Sequence, residues 1–461
     1  RWSAASRPVR HDRGAGPKRG RSLARDCRRL RRITTQGAAQ TPARERVDMS
    51  GVRWRLGAMM FLQYAIWGSW APFLWPYLTD QSAGLGLTDP QAAFIFGLLW
   101  LACILAPFTG GQIADRYVPT QIFLGVAHFL GGVLLLLASR AQEFGAMATL
   151  VGLYSLLYAP TLALTNSLAF HHLASEKEFG GVRVWGTIGW ICAGLALSVW
   201  RRMGTPADAA DCLLLSGLFA LVMGVYCFTL PHTPPAKDEA ADPLAFREAF
   251  VLLKNRNFLV FMLIAFVVTT ELQFYYGPTA GFLEKPMGVQ HQNVPMTMTV
   301  AQAAEIIAMW LLLPIALRSL GIRRTLALGV IAWPLRYFVF AAGPLAPEVM
   351  KPFVVASLAL HGLGFTFFFV VSQIFVDMVA PRDIRASAQS LLTLVTMGLG
   401  NWIGTQFTGW VLSIFRPAED PSKWTHVFLV PCALTVACAI AFLLFFKDPE
   451  EREQQKAPVP A

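Results

Sequence analysis

FLVFMLIAFVVTTELQFYYG (258–277) and MTMTVAQAAEIIAMWLLLPIAL (296–317) are the two runs on which the reading of this chain turns. Each is long enough to cross a bilayer core, for which about 20 apolar residues suffice. Each also carries groups that lipid does not tolerate: Glu271 and Gln273 in the first, Gln302 and Glu305 in the second. An ionisable side chain near mid-membrane costs roughly 2.5 to 3.5 kcal/mol on insertion scales, so it faces protein or a wet cavity. Residues three apart share a helix face, which pairs Gln302 with Glu305 and Gln273 with Tyr276, while Glu271 points elsewhere. Two such helices predict a polar pathway through an all-α membrane protein.

Composition agrees. The 461 residues are 55% hydrophobic and 15% charged, with a mean hydropathy of +0.47, which is too apolar for a soluble enzyme of several domains. A net charge of +11 suggests nucleic acid until it is located. Residues 1–48 hold fourteen Lys and Arg against four acids, so this tail carries +10 and the body is nearly neutral. That excludes a basic nucleic-acid surface on the body. The tail has no Met before Met49 and no apolar signal core. It is expected to be disordered, as upstream sequence translated from a misplaced start, with a transit peptide or a nucleic-acid arm as the alternatives. Seven cysteines show no C-x-x-C or Cys/His spacing and read as small hydrophobes, with neither a disulfide framework nor a metal site indicated.

From Met49, twelve runs of spanning length are expected, six before residue 230 and six from 257 to 447. The polar stretch 231–256, rich in proline and charge, reads as a linker between two six-helix halves (49–230 and 257–447), and 448–461 as a polar tail. An even count puts both termini on one side. The loops of that side carry 17 Lys and Arg against seven on the other, which predicts cytoplasmic termini in a cell (inner) membrane. Arg336, inside the ninth run, reads as a packing or snorkelling residue ahead of a substrate role. Two halves of this kind fit a secondary carrier that alternates access around a site near the midplane. No P-loop, H-E-x-x-H or G-x-S-x-G is present, so neither ATP-driven pumping nor these enzyme chemistries has a visible engine, and no enzyme is expected. His171 and His172 end the fourth run, where solvated histidines near the helix terminus are a better reading than metal ligands.

After the second run comes Gly110-Gly111-Gln112-Ile113-Ala114-Asp115-Arg116. Its G-x-x-x-D-R pattern resembles that of the major facilitator superfamily, in which Gly111, Asp115 and Arg116 would gate by close helix approach and exchange of charged partners. A narrower resemblance rests on FLQYAIWGSW (61–70), PTLALTN (160–166), VRVWGTIG (182–189), LPHTPPAK (230–237), TELQ (270–273), AQAAE (301–305), AWPLRY (332–337) and IRASAQ (384–389). In order and spacing these look like the bacterial nucleoside:proton symporter family, over nearly all of 55–447.

The resemblance implies a nucleoside cavity lined by Arg183, Thr187 and Trp190 from helix five, Gln273 from helix seven, and Gln302 and Glu305 from helix eight. The i, i+4, i+7 spacing of the first three agrees with one helical stripe, although Arg183 also reads as an interface anchor. Amides suit a ligand presenting both donors and acceptors, and they serve equally to bridge helices. Two positions depart from the family pattern. Its ligand-facing Tyr and Phe-Asp in helix ten fall here on His361 and Phe365-Thr366, and its Asn in helix seven is Tyr276. With that Asp replaced by Thr366, Glu305 becomes the leading proton carrier and Glu271 the second; His361 can also titrate, and His128 is structural. Trp67, Trp70, Trp190, Tyr275, Tyr276 and Phe365 offer rings for stacking or for packing. The implied function is import of a small-molecule nucleoside by proton symport, working as a monomer in membrane lipid, with no cofactor beyond the coupling proton. A carrier or facilitator for another polar metabolite such as a sugar is the alternative, and a transport-dead sensor a third reading.

Overall fold

The structure is a computed structural model that describes residues 43–173, 176–204, 210–235 and 244–447. The side chains of residues 43–50, 115, 176 and 177 fall outside that description, as do most of the expected N-terminal tail and all of 448–461. Residues from Arg53 onward form one compact unit.

Among the described residues every regular element is helical. The first half of the chain contributes α1 (Ala43–Trp70), α2 (Asp89–Leu105), α3 (Thr120–Ala138), α4 (Phe144–His172), α5 (Glu176–Arg202) and α6 (Asp211–Tyr226). The second contributes α7 (Arg256–Tyr276), α8 (294–320), α9 (322–342), α10 (Pro347–Val379), α11 (385–415) and α12 (Trp424–Phe445). Helix α1 (Ala43–Trp70) extends across Met49, where the first half is expected to begin.

Among the described residues, nine helical segments are long and apolar enough to cross a membrane. One of them, His291–Leu345, runs 55 residues, which at about 1.5 Å per residue exceeds twice the roughly 30 Å hydrocarbon core. It is broken at Gly321, whose φ of 74° lies in the left-handed region that glycine adopts without a Cβ penalty, and the break separates α8 from α9. The expected first and eleventh spans correspond to α1 and α11, which are helical but not among the nine.

Local chemistry sets several ends. Pro90 occupies the first turn of α2, and Gln91 accepts from the Thr88 backbone N–H at 3.0 Å, closing one side of a capping box. Part of the expected linker is structured: Ala245–Lys254 is a 3-10 helix whose Glu248 accepts from Ser387 at 3.0 Å, while 236–243 lie outside the described residues.

Buried polar bonds tie helices together where lipid offers no competing partner. Gln63 of α1 donates to Thr161 of α4 at 2.9 Å, and Ser216 of α6 donates to the Ile66 carbonyl at 2.8 Å. Tyr337 of α9 donates to the Glu271 carbonyl of α7 at 2.8 Å. In the second half, π segments interrupt α8 at Ala308–Leu312, α10 at Phe365–Val370 and α11 at Leu394–Gly400. Such widened turns recur at functional sites because they re-aim side chains and free backbone groups.

Among the described residues, α2 packs along α11 from Asp89 against Gly409 to Ile104 against Gly398, and the polar bonds between the two halves gather at one face. There Lys285 pairs with Asp80 at 2.9 Å, Arg202 donates to Asn293 at 2.8 Å, and Ser198 accepts from the Met296 N–H at 2.9 Å. Somewhat deeper, Gln406 of α11 donates to the Ala93 carbonyl of α2 at 3.1 Å. At the opposite face, Arg53 pairs with Glu178, Arg323 donates to the Phe446 carbonyl, and Asn257 donates to that of Lys447, each bond lying within one half. The Lys285, Arg202 and Ser198 bonds strap the halves together at the face where α1 and α7 end.

Candidate functional site

Arg183 lies seven residues into α5, about 10 Å from its start, so it stands inside the helix rather than at its end. Its guanidinium stacks on the Tyr64 ring at 4.0 Å, a cation–π contact that holds the cation against α1. Gly186 makes this possible, because a Cβ there would meet both Tyr64 and Arg183. Thr187 and Trp190 come next on the same helix, both part-exposed. The Trp190 ring sits 5.5 Å from Trp67 and 6.3 Å from Tyr276, so an aromatic chain crosses from the first half of the chain into the second.

Across from these, Gln302 and Glu305 are both buried on α8, sharing the face their spacing predicted. Glu305 interacts electrostatically with Arg183, the cation of the opposite half. Gln302 lies beside the Tyr275 hydroxyl, and its Oε1 has no hydrogen-bond partner. Gly362 of α10 packs directly on the Glu305 backbone, so any Cβ there would displace α10 from α8. The π segment of α10 then presents Phe365 and Thr366; Thr366 is buried and its Oγ1 is also without a partner.

His361, one turn before, is fully buried and stacked on Tyr275 at 4.3 Å, with Phe365 at 6.0 Å and the edge of Tyr276 at 5.7 Å. Its Nδ1 lies 3.1 Å from Nη1 of Arg336. That arginine is fully buried too, ringed by Tyr275 at 4.6 Å, Tyr337 at 4.5 Å and Trp333 at 4.8 Å. Glu271 is buried beside it and acts on it electrostatically, while both Glu271 carboxyl oxygens lack a hydrogen-bond partner.

The structure thus brings Arg183, Trp190, Tyr276, Gln302, Glu305, His361, Phe365 and Thr366 around one region, with Thr187 on the same helix as Arg183. Gln273 is arranged differently. Its Nε2 donates to Asn401 at 2.7 Å and its Oε1 accepts from Thr405 at 3.2 Å, so in this conformation the amide bridges α7 to α11. Residues three apart still differ by about 60° around a helix, which lets Tyr276 face His361 while Gln273 faces α11. Asn401 is a partner that sequence reasoning misses; its signal is an amide within the run LVTMGLGNWIG. Arg336, expected to pack or snorkel, is packed among aromatic rings and does not snorkel, and it also holds a hydrogen bond to a residue of the site.

In the expected gate, the tight approach is made by Gly110, against Pro160 and Phe123, rather than by Gly111, whose added Cβ would meet only the Ala106 carbonyl of its own segment. Arg116 is exposed and forms no ion pair among the described residues; the Asp115 side chain lies outside them. His172 contacts Thr233 at 2.8 Å at the start of the linker.

Buried carboxyls, amides and rings between halves that are strapped at one face define a secondary carrier of the major facilitator fold. The D-xylose-proton symporter shares this fold with a TM-score of 0.66 at 13% identity, covering 86% of this chain and 98% of that one. The family described as Nucleoside H+ symporter matches residues 50–451, and the chain belongs to that family. It is 32% identical to the putative nucleoside transporter YegT of Escherichia coli over 405 residues, covering 86% of this chain and 93% of that protein. To the E. coli nucleoside permease NupG it is 28% identical over 410 residues, covering 85% and 95%. A crystal structure of NupG superposes with a TM-score of 0.77 at 27% identity over 86% of this chain and 100% of that one.

Proposed function

We propose that this protein imports nucleosides together with protons across a cell (inner) membrane, as a monomer with both termini in the cytoplasm. Access alternates as 49–230 and 257–447 rock about the region between α5, α7, α8 and α10. One observation carries the reading: buried Glu305, on the second half, is acted on electrostatically by Arg183, on the first, and the buried Gln302 oxygen one turn away is without a partner. A carboxyl whose countercharge sits on the other half feels a different field in each conformation, and that difference couples a proton to movement. Protonated Glu305 favours the loaded carrier, and loss of the proton toward the cytoplasm aids release.

Glu271 is the second candidate carrier. Its cation, Arg336, belongs to the same half, so rocking leaves their separation unchanged and favours Glu271 as a fixed counter-ion. Arg183, Thr187, Gln302, His361 and Thr366 contact the nucleoside's polar groups, and Trp190, Tyr276 and Phe365 its rings. Gln273 joins them if its bridge to α11 opens, and Gly111, Asp115 and Arg116 act at the cytoplasmic gate. The straps at Lys285–Asp80 and Arg202–Asn293 then correspond to a state closed to the outside.

The replacement of a family carboxyl by Thr366 supports a second reading, a facilitator for another polar metabolite such as a sugar. Uptake of radiolabelled nucleoside by the purified protein in proteoliposomes with an imposed inward proton gradient decides between them. Gradient-driven accumulation that unlabelled nucleosides block and sugars do not is expected; uptake indifferent to the gradient, or blocked by sugars alone, overturns the proposal.

A further inference from the structure

Arg336 has a role that packing does not explain. Burying a guanidinium is costly unless it is paired, and arginine does not shed its proton. Glu271 supplies a countercharge without a hydrogen bond, and among the described residues the one hydrogen bond of Arg336 to another side chain goes to His361, while its Nε and Nη2 have none. Three aromatic faces at 4.5 to 4.8 Å hold the planar group in place.

The consequence falls on His361. Every Arg336 nitrogen at that contact is a donor, so Nδ1 of His361 must accept, and the ring is neutral with its hydrogen on Nε2. That Nε2–H is buried without a partner, on a ring packed between Tyr275 and Phe365 and against Tyr276. The nearby Gln302 and Thr366 oxygens are likewise unpartnered. A buried donor without a partner is costly to leave unmade and rewards a ligand that supplies an acceptor.

We propose that Arg336 is a positioning residue for ligand selection: by donating to His361 Nδ1 it holds that ring as a pure Nε2–H donor toward the ligand. The site then favours nucleosides that present an acceptor there, a base carbonyl or a ribose oxygen. The ligand half of this proposal rests on the nucleoside reading; the Arg336–His361 half stands on geometry alone.

Two measurements separate them. The protein in nanodiscs, labelled with 15N at its histidine rings and assigned by the loss of one signal pair in His361→Gln, reports the tautomer directly. A protonated Nε2 and a bare Nδ1 are expected in the wild type and in Arg336→Lys, which keeps a donor, and a mixture of ring forms in Arg336→Met. Should Arg336→Met fail to fold, Arg336→Met with Glu271→Gln removes both buried charges and takes its place.

Binding is then measured for inosine, purine riboside (which lacks the 6-carbonyl) and 3′-deoxyinosine. One deletion should weaken wild-type binding about tenfold or more and Arg336→Met binding by less than about threefold, with Arg336→Lys between them. A wild-type His361 protonated on Nδ1, or ring signals unchanged in Arg336→Met, overturns the proposal. So does equal discrimination by both proteins. If the wild type binds none of the three, the nucleoside reading falls and takes the ligand half with it, while the ring signals still decide whether Arg336 fixes the tautomer.

Discussion

Replacing Glu305 by Gln tests the proton mechanism where the structure makes it quantitative. Glu305 is the buried carboxyl that answers to a cation on the other half of the chain, and Glu271 answers to one on its own half. One such carboxyl implies one proton per cycle. A proton moving down one pH unit releases about 1.36 kcal/mol, which supports about tenfold accumulation of a neutral solute. In proteoliposomes with the lumen one unit more alkaline than the bath, the wild type should approach that ratio at steady state. Glu305→Gln keeps the shape and the hydrogen-bonding capacity but cannot release a proton, so it should level off near equal concentrations inside and out. Counterflow between preloaded and external nucleoside should survive, because exchange needs reorientation of the loaded carrier without net proton release. Tenfold accumulation by Glu305→Gln would refute the assignment, and near hundredfold accumulation by the wild type would refute the single-proton count.

Other expectations can be checked in the same preparations. Asp211→Ala should lower thermal stability by about 3 to 5 kcal/mol, because it strands Arg201, nine-tenths buried and bonded to Asp211 at 2.6 and 3.0 Å. Gln273→Leu should cost about 1 to 3 kcal/mol in unfolding experiments by orphaning Asn401, and a larger loss in nucleoside affinity than in stability would show that the amide also reaches the ligand. Gly362→Val should cost about 1 to 3 kcal/mol by forcing α10 off the Glu305 backbone, and should reduce transport more than expression. Lys285→Met should loosen the strapped face, but by no more than about 1 kcal/mol, roughly a fivefold shift in open population, since Lys285 is half exposed; spin-label distances across that face would report it.

The same strap sets a pH expectation. Burial raises the Asp80 carboxyl, but Lys285 and the N–H groups of Ala83 and Ser82 outweigh it and hold the carboxyl well below its usual range. A depressed carboxylate contributes its stability above the unfolded value, near 4, and loses it only as pH falls toward the folded one. Closure of this face should therefore not change between pH 5 and 8, and a spin-label distance that shifts in that window would point to another group.

Much of this was legible in the residue order because its physics is local. Run length against bilayer thickness marks the spans, and costly polar groups inside apolar runs mark Glu271, Gln302 and Glu305 as facing protein or a wet cavity. A period of 3.6 places Gln302 and Glu305 on one face. What periodicity does not contain is the identity of the neighbour that a face meets. Gln273 and Tyr276 share a side of α7 to within about 60°, and only the packing of α11 against that helix turns one to Asn401 and leaves the other with His361. The close approach fell to Gly110 rather than Gly111 because Pro160, fifty residues on, happens to press there. Likewise, the ring form of His361 depends on an arginine 25 positions away, and a hydrogen-bond donor acts on the group it touches, not on the group it precedes in the chain.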